Sequence, residues 1–149
     1  MGDKKKIGRW ELIDLPEWNL FDVPAKTDTG AYSCSIHCDH IRMVKTAGGI
    51  ESIEFEIPRS NDSEAGAIVY RTSNFRIKKV TNSFGQTEER FIVRTLIRLY
   101  GEYIETDFSL SNRKNLRFPV LLGRKLLKRR FLVDVDKRNL SKKYLKKLK

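Results

Sequence analysis

The sequence holds one Asp-Thr-Gly, Asp28-Thr29-Gly30, within the stretch Val23-Pro24-Ala25-Lys26-Thr27-Asp28-Thr29-Gly30-Ala31. An Asp beside a hydroxyl residue and a glycine, at the end of an extended segment, can aim a carboxylate at a water. Peptide hydrolysis by this route takes two carboxylates that share one proton, one accepting from the water while the other donates to the carbonyl oxygen. Two like charges about 3 Å apart cannot both ionise cheaply, which splits the apparent pKa values of the pair. No second Asp-Thr-Gly or Asp-Ser-Gly occurs. The partner of Asp28 must then be another Asp of the chain or the Asp28 of a second copy, which a two-fold dimer supplies. Thr29 fits as a hydroxyl that braces the loop across such a dimer, and Gly30 as a point of close backbone approach. As a bare string, the tripeptide is also what an ordinary strand-ending turn contains.

Two other groups of residues have chemical potential. Cys34, His37, Cys38 and His40 lie within seven residues and are all competent zinc ligands. On a strand, Cys34, Cys38 and His40 share one face and His37 points to the other, so a tetrahedral site would need a bulge. Two buried thiols and two polar histidines are the plainer reading. Asp134 and Asp136, placed on one face of a strand, are the intrachain alternatives to a second Asp28; a surface cluster paired with nearby Lys and Arg explains them more simply. There is no Gly-x-x-x-x-Gly-Lys-Ser/Thr and no His-Glu-x-x-His. No cofactor is expected.

The elements that must hold these residues read mostly as strands, because apolar, β-branched and aromatic residues recur at every second position. Trp10, Leu12 and Leu15 start the pattern, and Pro16 to Pro24 reads as a loop. Ala31 to Val44 reads as one long strand, followed by a turn at Ala47-Gly48-Gly49 and the alternation of Ile53, Phe55 and Ile57. Pro58 to Gly66 reads as a surface loop. Ala67 to Val80 and Glu88 to Tyr100 form a hairpin whose polar tip carries one aromatic, Phe84. Glu102 to Leu110 is a strand, Phe118 to Leu122 a short buried one, Arg124 to Lys128 a short helix and Phe131 to Val135 a last strand. Leu140, Tyr144, Leu145 and Leu148 have the spacing of an amphipathic helix. The fold class is therefore all-β, a closed sheet or barrel with one short helix near the C-terminus.

The 149 residues suit a single domain over 1–149. Net charge is +11, and residues 113–149 hold 15 Lys or Arg against two acids, whereas the rest of the chain holds 15 against 17. The basic C-terminal tail, from about 139, reads most simply as a solvated extension. Aromatic residues are not interleaved with the basic run, so nucleic acid is not an expected partner. No apolar run approaches a membrane span, and the basic N-terminus is not followed by a signal-peptide core. Lys6 stands where a myristoylation motif at Gly2 would want Ser or Thr. Two cysteines make no disulfide framework. A cytoplasmic location follows as the expectation.

A second motif, Phe118-Pro119-Val120-Leu121-Leu122-Gly123-Arg124-Lys125-Leu126-Leu127, is a buried strand ending in Gly and entering a helix. Its pairing with Asp-Thr-Gly-Ala resembles the retropepsin-like aspartic proteases. More specifically, Pro24 to Cys38, Arg117 to Arg124 and Phe131 to Asp134 are similar to a bacterial family that has been labelled ATP-dependent zinc proteases. The similarity runs from about Ile7 to Leu140. The resemblance implies a closed β-fold of about six strands, a homodimer with Asp28 of each subunit in the site, and aspartic endopeptidase activity on a polypeptide substrate. It makes Asp28, Thr29 and Gly30 catalytic, and Ala31 with Asn82, Ser83, Phe84 and Gly85 substrate-binding, the last four at the tip of a flap. It makes Leu121-Leu122-Gly123 the support of the catalytic loop. Ser111-Asn112-Arg113 departs from the family's Thr-Asp-Arg, and Cys34 and Cys38 replace small or hydroxyl residues. The family's associations also raise a non-catalytic reading, a peptide- or partner-binding regulatory module for ATP-grasp carboxylate-amine ligases. The residues support neither the ATP nor the zinc of the family label.

Overall fold

The computed structural model describes residues 3–58, 66–81, 83–112 and 117–148. In chain order the strands are β1 (Lys5–Ile7), β2 (Trp10–Leu15), β3 (Leu20–Thr27), β4 (Cys34–His37), β5 (Asp39–Lys45), β6 (Glu51–Pro58), β7 (Ala67–Thr72), β8 (Phe75–Thr81), β9 (Thr87–Leu99), β10 (Glu102–Ser111), β11 (Val120–Leu122) and β12 (Phe131–Val133). Two helices, α1 (Arg124–Leu127) and α2 (Leu140–Lys147), complete the set, with a single 3₁₀ turn at Pro16–Trp18.

Six strands close on themselves in the order β10, β4, β11, β3, β2, β9, and β9 returns to β10. The expected all-β barrel is thus present. Closure removes the free edges of these strands, and the inward residues Ile13, Leu15, Ile36, Ile97, Phe108, Val120 and Leu122 fill the interior. The β9–β10 turn is Tyr100-Gly101, both at positive φ (55° and 75°), a two-residue turn whose twist matches the strands it joins. β8 adds to β9 outside the barrel.

Three expectations are corrected here. The run Ala31 to Val44 is not one strand: 28–33 is a loop, β4 belongs to the barrel, and β5 leaves for a separate sheet with β6 and β7. The break falls at Cys38, whose N–H donates to the Ser111 carbonyl (2.9 Å), and at His40, which takes φ 54°. The run Ala67 to Val80 splits likewise, since β7 pairs with β6 and β8 with β9. The inward parity shifts at both exchanges, from Ile36 and Cys38 to Ile41 and from Ile68 and Tyr70 to Phe75, but the strand-forming residues on either side lie close enough to read as one run. Pro16 to Pro24 is mostly strand, with Pro24 opposite Leu12 just before β11 starts pairing at Ala25. Of the expected loop from Pro58 to Gly66, residues 59–65 lie outside the described residues.

Trp18 joins the two main sheets. Its ring lies 6.3 Å from Phe108 of the barrel and 5.8 Å from Phe55 of β6, in edge-on contact with the latter. Tyr70 stacks on Phe55 and donates its hydroxyl to the Trp18 carbonyl.

The segment from 139 is not a solvated tail. Glu11 points inward with Ile13 and Leu15 and is fully buried. Its carboxylate accepts from the N–H groups of Gly8 (2.8 Å), Leu140 (3.1 Å) and Ser141 (2.8 Å). Two of these are the otherwise unsatisfied donors of the α2 N-terminus, where negative charge is favoured. Lys142 Nζ adds contacts to both Asp14 oxygens (2.8 and 2.9 Å), and Ser141 Oγ accepts from the Tyr100 N–H (2.7 Å). Nor do Asp134 and Asp136 share a strand face. β12 ends at Val133, and the Asp136 N–H donates back to Asp134 Oδ1 (3.0 Å) in a turn. No described helix is long and apolar enough to cross a membrane.

Candidate active site

β3 ends at Thr27, whose hydroxyl donates to the Gly8 carbonyl (2.7 Å) and whose N–H donates to the Arg9 carbonyl (3.0 Å). The Asp28 N–H then donates to the Leu122 carbonyl (2.9 Å), extending the parallel β3–β11 ladder by one residue. Beyond it the chain turns. The Gly30 N–H donates to Asp28 Oδ1 (3.0 Å) and the Ala31 N–H to the Asp28 carbonyl (3.2 Å). Asp28 is half-buried, and Thr29 and Gly30 are exposed.

The second motif carries this loop. Ala31 and Tyr32 carbonyls accept from the N–H groups of Arg124 (2.8 Å) and Lys125 (2.9 Å), so the loop caps the first turn of α1. The Arg124 guanidinium donates to the Thr29 carbonyl (2.9 Å) and lies over the Tyr32 ring. A Cβ at position 123 would sit 2.5 Å from the Ser33 carbonyl oxygen, so only Gly fits between β11 and the loop. Within the described residues of one chain, a Cβ at Gly30 would meet Asp28 Oδ1, at 3.3 Å. The Gly123 N–H points at Cys34 Sγ (3.4 Å), and burial pushes that thiol up to about 11, leaving it neutral and unsuited to nucleophilic work.

Asp28 opens onto a groove of about 660 Å³ lined by Arg9, Trp10, Lys26, Arg117, Phe118, Leu121 and Arg138. Four of these side chains are cationic, and among the described residues none of the four has an anionic side chain within ion-pairing distance. The Arg117 guanidinium lies over the Phe118 ring. Lys26 precedes Asp28 by two residues, the spacing that keeps side chains on one face of an extended chain, and this signal was readable. Arg9 and Arg138 meet because the Arg9 N–H donates to the Lys137 carbonyl (2.9 Å), a pairing of distant segments that no local pattern announces.

The flap candidates stand apart from this groove. Ser83, Phe84 and Gly85 form the tip of the β8–β9 hairpin, Gly85 at φ 81° and Phe84 at 87% exposure, and none lines the groove. Asn82 lies outside the described residues. Ala31 serves the loop through its backbone. The cysteines and histidines do not converge: His40 bonds Glu56 (2.8 Å), His37 lies 3.4 Å from Asp39, and Cys38 Sγ faces the Ile36 carbonyl. Among the described residues no group of three His, Cys, Asp or Glu is placed to hold a metal, so the donors do not fit the zinc of the family label.

A crystal structure of Lpg0085 from Legionella pneumophila subsp. pneumophila str. Philadelphia 1, a DUF785 protein of unknown function, superposes with a TM-score of 0.68 at 26% identity, covering 93% of this chain and 99% of that one. A probable alpha-L-glutamate ligase of Desulfotalea psychrophila is 30% identical over 152 residues, 96% of this chain and 32% of the relative. One from Shewanella pealeana is 29% identical over 135 residues, 90% of this chain and 29% of the relative. The chain thus spans about a third of the length of these curated relatives. Residues 6–144 match the model of the retropepsin-like aspartic endopeptidase RimB, and the chain belongs to this RimB-like family.

Proposed function

We propose that this chain is a homodimeric aspartic endopeptidase that hydrolyses peptide bonds in extended, glutamate-rich polypeptides. The observation that carries the reading is Asp28 itself. Among the described residues its carboxylate meets only its own loop, at Gly30, and it faces a groove whose four cations have no anionic side chain within ion-pairing distance. One such carboxylate is half of a hydrolytic pair, and Asp28 of a second copy supplies the other half. Exposure of Thr29, with no partner for its hydroxyl among the described residues, fits a surface awaiting a second chain.

In the reaction, one Asp28 carboxylate takes a proton from water as the water attacks the peptide carbonyl. The other, protonated, donates to the carbonyl oxygen. Arg124 and Gly123 hold the loop so that the carboxylate does not move as charge shifts. Arg9, Lys26, Arg117 and Arg138 favour side-chain carboxylates along the substrate. Glutamate as the acid agrees with the relatives named for alpha-L-glutamate ligation.

Those names also support a second reading, a non-catalytic module that binds a ligase or its product, since the matched region is only about a third of each relative. Incubating the purified chain with a glutamate-rich peptide and with a lysine-rich peptide of equal length, with products read by mass spectrometry, separates the two. Cleavage of the glutamate-rich peptide alone is the expected result. Binding of that peptide without any cleavage contradicts the peptidase reading and favours the module.

A further inference from the structure

Asp107 of β10 is the other conspicuous carboxylate. Its side chain is 10% exposed, and cations from three separate elements hold it. Arg94 of β9, directly opposite, donates Nε to Oδ1 at 2.8 Å. Arg76 of β8 donates to Oδ2 at 3.0 Å, and Lys125 of α1 donates Nζ to the same oxygen at 3.0 Å. The Arg94 hydrogen bond, with help from Lys125, holds the Asp107 acid down at about 2, so it is ionised throughout the physiological range.

The elements tied here have different tasks. Among the described strands β8 pairs only with β9, so half of the hairpin stands outside the closed barrel. α1 carries the Asp28 loop, and Lys125 does so directly, its N–H on the Tyr32 carbonyl while its Nζ is on Asp107. We propose that Asp107 is a positioning residue that couples the β8–β9 hairpin to the Asp28 loop, through Arg76 on one side and Lys125 on the other. A movement of the hairpin that draws Arg76 away leaves the carboxylate to Arg94 and Lys125, and a shift of α1 loosens Arg76 in turn. This role rests on the reading of Asp28 as a catalytic carboxylate; the coupling between the two elements does not.

Hydrogen exchange of single amides tests the coupling on the intact chain. Arg76→Gln alters only the hairpin side, and Lys125→Met removes Nζ but keeps the N–H that holds Tyr32. We expect Arg76→Gln to speed exchange at Gly30, Arg124 and Lys125, and Lys125→Met to speed it along β8, each by about tenfold. The double variant should exceed neither single variant, because both act through one carboxylate. The Ser141 amide on Glu11 should stay unchanged in all three. With a cleavable peptide, Asp107→Asn should lower kcat about tenfold with little change in KM, and Asp107→Glu should restore most of it. Acceleration confined to the altered element, or additive effects in the double variant, overturns the coupling. Coupled exchange in a wild-type chain that cleaves nothing supports the coupling and overturns the peptidase reading instead.

Discussion

Asp28 and Asp107 are each a single carboxylate among several cations, yet the two regions differ in where the charge is used. At Asp107 both oxygens are occupied by Arg94, Arg76 and Lys125, so each of these cations has an anionic partner within the fold. At Asp28 one oxygen meets a loop N–H, and Arg9, Lys26, Arg117 and Arg138 line the groove with no anionic partner among the described residues. Like charges around one cavity repel each other, and in the proposed reaction an acidic substrate would offset that repulsion. The first region is held by ion pairs within the fold; under the proposed function the second receives an acidic substrate.

Substitutions should separate the two. The largest effect belongs to Asp28→Asn, which should lower peptide cleavage at least about 10³-fold while leaving the thermal melting point within a degree or two; a large drop in melting point would place Asp28 with the structural carboxylates. Next comes the anchor that brings Arg138 to the groove. Glu11→Leu leaves three backbone donors buried without an acceptor and should cost about 3 kcal/mol or more in urea unfolding.

Asp107→Asn ranks third, at about 2 kcal/mol near neutrality. Its folded-state pKa is depressed to about 2, so its contribution is full above the ordinary carboxylate range and lost as pH falls through that value. Unfolding followed by circular dichroism should show wild-type stability declining more steeply than that of Asp107→Asn between about pH 4 and pH 2. Arg138→Gln should have the smallest effect. It should raise KM for a glutamate-rich peptide about fivefold, ~1 kcal/mol, at low salt, and the difference should shrink in high salt.

Much of the scaffold was legible before any coordinates. The alternation in β2 and β6, the hairpin turn at Phe84-Gly85 and the Gly123 entry into α1 are local patterns of side-chain period and turn chemistry. The turn at Asp28 and its support by Leu121-Leu122-Gly123 were legible through the resemblance of two separated motifs; that the loop runs on to Ser33 was not. The exchanges of sheet at Cys38 and at Ser73-Asn74 were not, because strand-forming residues run close up to both breaks and do not say which neighbour each half pairs with. Nor was the inward Glu11, an acid at a core position that makes sense only once α2 presents its N–H groups. The groove cations split in the same way. Lys26 follows from its spacing to Asp28, whereas Arg138 is placed by the packing of the C-terminal segment on residues 8–10.

Mixing the wild-type chain with Asp28→Asn, and following cleavage of a glutamate-rich peptide after subunit exchange, tests most directly whether two copies of Asp28 build one site. With random pairing at equal amounts, activity per wild-type chain should fall to about half, because only pairs of two wild-type chains retain both carboxylates. Activity per wild-type chain that does not change on mixing would mean that each chain cleaves with its own residues, and the shared Asp28 pair would be wrong.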